Sequence, residues 1–468
     1  MKTARLIAFL LSLYCLPVAA QVNRPLYDEV KDSVVSKFNR NDYQDIYSLL
    51  DTSFSKNISS AQLVRFLKGI QNSGKILGSA FQSEDKGVAS YLLNFELRDM
   101  VMHLQVKPDK KITTLGFLNV PPVLLDHAPK VLTDNPLKSA LDKAVDSIAL
   151  DYFRNAKVNS LSIGILQNGK PHIYNYGETN KENGKLPSAQ TGYEIGSITK
   201  TFTATILGQA VSDNKVSLKD DIRKYLPGNY PNLSFNGVPI TLENLANHTS
   251  GLPELPADIG DLAGYDPVNP ELHYDSARFY TALSKVTIDT IPGHKFRYSN
   301  WGMSVLGHIL EKVYGKPMAV LIRQYITSPL HMNRTWYINE KPYSNIAIPH
   351  SENDRILPIT DEHYFSPAGG LCTTVKDLLI YMNAQIAENS AAIKLTHRPT
   401  VNDIGLGWGV RNSGTSREYQ HNGSTQGSTA HISIFPELNS GCVVLSNNKV
   451  QLGKTIIAIQ KILKQKAS

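Results

Sequence analysis

Hydrophobic residues along the first hundred positions change their period once. "PLYDEVKDSVVSKFNRNDYQDIYSLLD" and "SAQLVRFLKGIQNSG" repeat apolar residues every three or four positions, as helices buried on one face do. Asn41-Asp42 and Ser59-Ser60 stand where helices should start, because their side chains can cap free backbone N–H groups. "GVASYLLNFEL" and "VMHLQVKPDKKITTLGFLNV" then alternate apolar and polar residues, which predicts antiparallel strands with a turn at Pro108-Asp109. Helices followed by strands make residues 21–121 a small α+β domain. "PPVLLDHAPKVLTDNPLKS" keeps neither period, and residues 122–138 read as a linker.

A second pattern begins at Ser139. "LKSALDKAVDSIALDYFRNA" predicts a long helix leading into "LSIGILQNGKPHIYNYG", a hairpin turning at Asn168-Gly169. Near the other end, "EYQHNGSTQGSTAHISIFPELNSGCVVLSNN" predicts three more strands, the last two joined at Asn439-Ser440-Gly441. "QLGKTIIAIQKILK" predicts a closing amphipathic helix. Strands from both ends of residues 139–468 would then share one sheet. The expected fold is α/β of the α+β type: an antiparallel sheet with helices on both faces and a helical subdomain, preceded by the small α+β domain.

Composition changes this picture little. A chain of 468 residues, 41% hydrophobic and 19% charged, is globular and long enough for two cores. The formal charge of +7 includes Lys2 and Arg5, so the chain without its first twenty residues carries +7 − 2 = +5, spread without a dense basic block. A nucleic-acid partner is not expected. "MKTARLIAFLLSLYCLPVAA" has a basic start, an apolar run from Leu6 to Leu16 and Val18-x-Ala20 before Gln21, the anatomy of a cleaved export signal over residues 1–20. The run is short for a membrane span, so a secreted or periplasmic protein is expected. Tyr14 before Cys15 argues against lipidation. Cys372 and Cys442 have no Cys or His neighbours at zinc spacing, and neither metal nor cofactor is expected.

Chemistry enters at "YEIGSITKTFTA". Ser197 and Lys200 are three positions apart at the start of an apolar helix, so both face the same way. A serine hydroxyl needs a base to become a nucleophile, and a lysine is a base only when neutral, a form that burial favours. Ile195, Ile198, Phe202 and Ala204 make burial plausible, and the backbone N–H of Ser197 can serve a developing oxyanion. Spacing alone is common: Ser53–Lys56, Ser83–Lys86 and Ser212–Lys215 share it, but they lie in polar stretches that suit surface lysines.

"GSITKTFTA" resembles the nucleophile segment of the serine β-lactamase and penicillin-binding-protein superfamily, especially the class C β-lactamases and their esterase and D-peptidase relatives. The family's second element, Tyr-x-Asn, is matched by Tyr298 and Asn300 in "PGHKFRYSNWGMSVLGHILE". Tyr230, Tyr337, Tyr343 and Tyr381 also precede an asparagine by two, without that flanking context. The third element, Lys-Thr-Gly in the lactamases, is matched by His421-Asn422-Gly423 in "QHNGSTQGS". "LANHTSGLP" (His248, Ser250, Gly251) and "SPAGGLCTTVKDLLIYM" (Gly369, Gly370, Asp377) match further landmarks and read as loop-shaping. All fall in order within residues 139–465.

The resemblance implies a hydrolase working through a Ser197 acyl-enzyme, with Lys200 and Tyr298 sharing proton handling. It gives Asn300 the task of orienting the lysine and the substrate amide. Gly423 would leave room for the acyl group, and the N–H of Ser424 would pair with that of Ser197 at the oxyanion. His421 departs from the lactamase lysine. An imidazole holds no permanent charge near neutral pH, so a free carboxylate on the substrate should be held weakly. The substrate expected is a small molecule or peptide: an ester, an amide or a D-residue peptide, with β-lactams a minority outcome. The alternative is a slowly acylating or non-catalytic sensor or scaffold. Residues 21–121 loosely resemble the cone-shaped nuclear transport factor 2-like domains, which implies a spacer or binding role with an unknown partner.

Overall fold

The computed structural model describes residues 23–465 except 263, 341–343, 402, 414 and 415. The expected export signal lies outside the described residues. The chain divides into two compact units, one ending at Pro122 and the other beginning at Val123.

In the first unit, helices Arg24–Asn39, Tyr43–Ser48, Thr52–Ser55 and Ser60–Gln71 precede an antiparallel sheet of four consecutive strands, Ile76–Asp85, Val88–Phe95, Asp99–Val106 and Ile112–Asn119. Ser59 caps the fourth helix reciprocally with Gln62, as the sequence signal predicts. The two central strands alternate buried and half-buried residues without a break. Their buried set, Tyr91, Leu93, Phe95, Met100, Met102 and Leu104, packs with Val34, Phe38, Ile46 and Leu67 of the helices into a core of its own.

The second unit is built on a six-stranded antiparallel sheet in the order Gly409–Ser413, Ser416–Ser424, Thr429–Phe435, Ser440–Ser446, Ser160–Gln167, Lys170–Gly177. Strands from its two ends meet where Cys442 pairs with Ile165. The hairpin turns at Asn168 and Gly169, with φ of 50° and 78°, the left-handed pair that a two-residue turn requires. On one face, helices Ala140–Phe153 and Gly453–Gln465 cover a core of Val145, Phe153, Ile163, Val444 and Ile459. On the other, Thr199–Ser212, Asn300–Tyr314 and Val375–Ala387 share a larger core containing Phe202, Trp301, Leu378 and Trp408. A short sheet, Trp336–Tyr337, Leu371–Thr374 and Gly192–Glu194, carries the chain into the segment around Ser197.

The structure differs from the sequence expectation in two places. Residues 123–138, expected as a linker, are pinned to the second unit: Thr133 bridges Tyr176, and the buried Asn135 donates to the Asp142 carbonyl and the Tyr176 hydroxyl. Strand Gly409–Ser413 was not expected, because "GWGVRNS" lacks the alternation of a half-buried strand. It is the sheet's edge strand, and its outer side is met by a loop: Gly409 bridges Ile404, and the Val410 N–H donates to the Asp403 carbonyl at 2.7 Å.

Candidate active site

Ser197 lies in a 3₁₀ turn, Gly196–Ile198, which runs directly into helix Thr199–Ser212. In a 3₁₀ turn residues three apart eclipse, which sets Lys200 over Ser197. The Lys200 Nζ donates to Ser197 Oγ at 2.9 Å and to the Ala368 carbonyl at 2.7 Å. Lys200 is fully buried. From the other side the Tyr298 hydroxyl donates to the same Ser197 Oγ at 2.6 Å, and its ring centre is 4.9 Å from the Lys200 Nζ. One hydroxyl therefore meets two groups able to exchange protons, while Ser197 itself stays partly open to solvent.

Tyr298 precedes helix Asn300–Tyr314 and is held from the "NHTSGLP" loop. The His248 carbonyl accepts from the Arg297 N–H at 2.7 Å, and His248 Nδ1 accepts from the Ser299 N–H at 3.2 Å. Both neighbours of Tyr298 are thus fixed by one residue, whose ring also packs on the phenol at 4.5 Å. Burial, with the Lys200 charge second, pushes His248 well below the usual histidine range and keeps it neutral. Asn300 opens the helix, but its side-chain oxygen is buried without a hydrogen-bond partner; the hydrogen bonds of the Lys200 Nζ go to Ser197 and Ala368 instead.

The third element comes from strand Ser416–Ser424. At Gly423 a Cβ would lie 1.8 Å from the Ile195 carbonyl oxygen. At Gly196, with φ of 47°, a Cβ would lie 2.7 Å from both N and O of Ser424. Two glycines thus let the nucleophile's turn and the strand touch backbone to backbone, which brings the Ser424 main chain beside the turn that carries Ser197. The space Gly423 preserves is filled by the protein's own backbone, which the sequence reading had assigned to the acyl group alone.

His421 is half-buried, and its Nδ1 donates to the Asn422 carbonyl at 2.7 Å. A carbonyl only accepts, so the neutral ring carries its proton on Nδ1 and offers Nε2 as an acceptor. Burial, then the Lys200 charge, pushes its pKa down to about 4. His421 is neutral at physiological pH, further from a fixed cation than an ordinary histidine. Burial also shifts two carboxyls, upward and so toward the neutral form. Burial, reinforced by Glu254, pushes Glu271 up to about 7. Burial, then Glu271, raises Glu362 well above the carboxylate range, against the pull of Lys200. A Cβ on Gly369 would lie within 2.3 Å of both Glu362 oxygens, so this carboxyl sits over the residue next to Ala368.

Among the landmarks read as loop-shaping, Asp377 accepts from the Arg334 N–H and the Thr335 hydroxyl and caps nothing of the chemistry. Two of the other Ser-x-x-Lys serines have local roles: Ser53 donates to Asp51 and Ser212 to the Gly208 carbonyl. Sequence reasoning missed the Ala368 carbonyl, His248 as the holder of Tyr298, and the carboxyls of Glu271 and Glu362. The glutamates had no signal, since each is one acidic residue in a polar loop.

The β-lactamase family model matches residues 141–465. A β-lactamase of Pseudomonas fluorescens is 25% identical over 368 residues, which are 69% of this chain and 97% of that protein. The D-alanyl-D-alanine-carboxypeptidase/endopeptidase AmpH of Escherichia coli K12 is 26% identical over 352 residues, 68% of this chain and 86% of its own. Among solved structures, an octameric penicillin-binding protein homologue from Pyrococcus abyssi superposes with a TM-score of 0.62 at 26% identity, covering 70% of this chain and 78% of that one.

Proposed function

Since this chain belongs to the β-lactamase family, we propose that it is a serine hydrolase in which Ser197 forms an acyl-enzyme with an ester or amide whose acyl part carries no free carboxylate. The observation that carries the reading is the Ser197 hydroxyl held between Lys200 and Tyr298 at 2.9 and 2.6 Å. In acylation, one of these groups takes the Ser197 proton as Oγ bonds to the carbonyl carbon. The other protonates the leaving oxygen or nitrogen as its bond to that carbon breaks. Water then attacks the acyl-enzyme by the reverse proton path and frees the acid. The N–H groups of Ser197 and Ser424 serve the oxyanion in both steps.

Electrostatics supports the substrate preference. A neutral His421 offers no charge to a substrate carboxylate. Short esters and D-residue amides fit this field better than β-lactams, which carry a carboxylate. The leader read from residues 1–20 makes the proposed enzyme an exported one. A panel of p-nitrophenyl acetate, a D-alanyl p-nitroanilide, a D-Ala-D-Ala peptide and a chromogenic cephalosporin tests the reading. Ester or D-amide turnover well above cephalosporin turnover is expected. Cephalosporin turnover equal to the best ester would overturn the preference, and no acylation by any of them would favour the sensor or scaffold reading.

A further inference from the structure

The two proposed oxyanion donors ride on different sheets. Ser197 follows Gly192–Glu194 of the three-stranded sheet, and Ser424 ends a strand of the six-stranded one. Gly196 approaches the Ser424 backbone and Gly423 the Ile195 backbone by van der Waals contact, which permits closeness without fixing it. A directional tie lies three residues before the nucleophile. The Glu194 carboxylate, 4% exposed, accepts from the Thr425 hydroxyl at 2.8 Å, the Ser428 hydroxyl at 3.0 Å and the Thr360 N–H at 2.6 Å. Thr425 directly follows Ser424, and Thr425 and Ser428 bound the tight turn after it, where the Thr425 hydroxyl also accepts from the Gly427 and Ser428 N–H groups.

We propose that Glu194 is a positioning residue for the oxyanion hole, tying the turn of Ser197 to the end of the strand that carries Ser424. The inference rests on the acyl-enzyme reading above. Two of the three hydrogen bonds to this buried carboxylate reach the strand end, and they stiffen a junction that no strand pairing spans among the described residues. Lys449 supports the same turn, its Nζ donating to the Thr425 carbonyl, which also accepts from the Ser424 hydroxyl at 3.2 Å. Burial pulls Lys449 down to about 8, while Glu352 and Glu194 act the other way, so near neutrality it remains mostly a cation.

A displacement of about 1 Å at a reacting centre costs on the order of 10²-fold in rate, as does the loss of one oxyanion donor. Acylation by p-nitrophenyl acetate (kcat/KM per folded molecule) and affinity for phenylboronic acid test the assignment in the full chain. The boronic acid bonds to Ser197 Oγ as the hydroxyl proton leaves to the base, giving a tetrahedral adduct that needs the same donors. Glu194→Ala should lower both quantities by about 10²-fold, and Glu194→Gln, which keeps its volume and an acceptor for the Thr360 N–H, by about tenfold. Ser428→Ala should lower both about threefold alone, and not further in the Glu194→Ala chain, where its partner is already gone. A merely stabilising carboxylate would lower Tm and leave both quantities within threefold of the unsubstituted protein; that result overturns the inference. If Glu194→Ala does not fold, Glu194→Gln alone decides. If the unsubstituted protein neither acylates nor binds the boronic acid, the acyl-enzyme reading itself has failed, a different outcome from unaltered Glu194 variants.

Discussion

At the scale of single residues, the proposed substrate preference rests on His421. It stands where the lactamases carry a lysine, and burial beside Lys200 leaves it neutral down to about pH 4. Between pH 6 and 9, preference for a neutral ester over its carboxylate-bearing analogue should therefore be flat with respect to this group. A step near pH 6.5 in the ratio of their kcat/KM values would show an unperturbed imidazole instead. His421→Lys should raise activity toward the carboxylate-bearing partner by up to about tenfold relative to the neutral one, equivalent to about 1.4 kcal/mol. An unchanged ratio in a folded variant would mean that the position does not face the acyl group. Sequence found the identity of this residue but only half of its electrostatics: a histidine's ordinary range is a property of the side chain, whereas the downward shift comes from Lys200 and enclosing residues far away in the chain.

At the scale of elements, the strand pair Ser416–Ser424 and Thr429–Phe435 carries two depressed histidines. His431, facing Asn422 across the pair, donates to that side chain at 2.6 Å and is pushed down to about 3 by burial, with His421 second. Unfolding releases it to the usual value near 6.5, so between pH 6.5 and about 3 the unfolded chain binds the extra proton and stability falls with falling pH. The slope is about 1.4 kcal/mol per pH unit for this group, or about 2 kcal/mol between pH 6.5 and 5. Chemical denaturation of the full chain at pH 7 and pH 5 checks this: His431→Gln should lose less stability over that interval than the unsubstituted protein. Equal losses would contradict the shift.

Most elements of the fold are legible in sequence because their signals are local. The Asn168-Gly169 turn, the Ser59 cap and the alternation through "YLLNFEL" each need only neighbouring residues. What escaped depends on distant partners. Glu194 reads as one more acid in a three-residue strand, and its role arises only where Thr360, Thr425 and Ser428 converge on it. Edge strand Gly409–Ser413 escaped because its pairing partner, not its own pattern, makes it a strand.

At the scale of the whole molecule, Lys200 and Tyr298, which meet Ser197, belong to the second unit, which has its own cores on both faces of its sheet. Among the described residues no helix is long and apolar enough to cross a membrane. A chain beginning at Val123 should fold and turn over a small ester within about threefold of the full chain. Its start matters, because residues 123–138 pair with the second unit: Gly177 donates to the Leu132 carbonyl and Leu125 to that of Arg154. A folded truncation without turnover would show that the first unit completes the site.

The account's central claim is that Ser197 is the acylated nucleophile, and intact-protein mass spectrometry after treatment with a fluorophosphonate tests it most directly. The phosphorus bonds to the serine oxygen as fluoride leaves, so each labelled molecule gains one adduct mass. The full chain should gain one adduct, mapped by peptide digestion to the segment containing Ser197. Ser197→Ala, with an unchanged circular dichroism spectrum, should gain none. Stoichiometric labelling of Ser197→Ala would contradict the account.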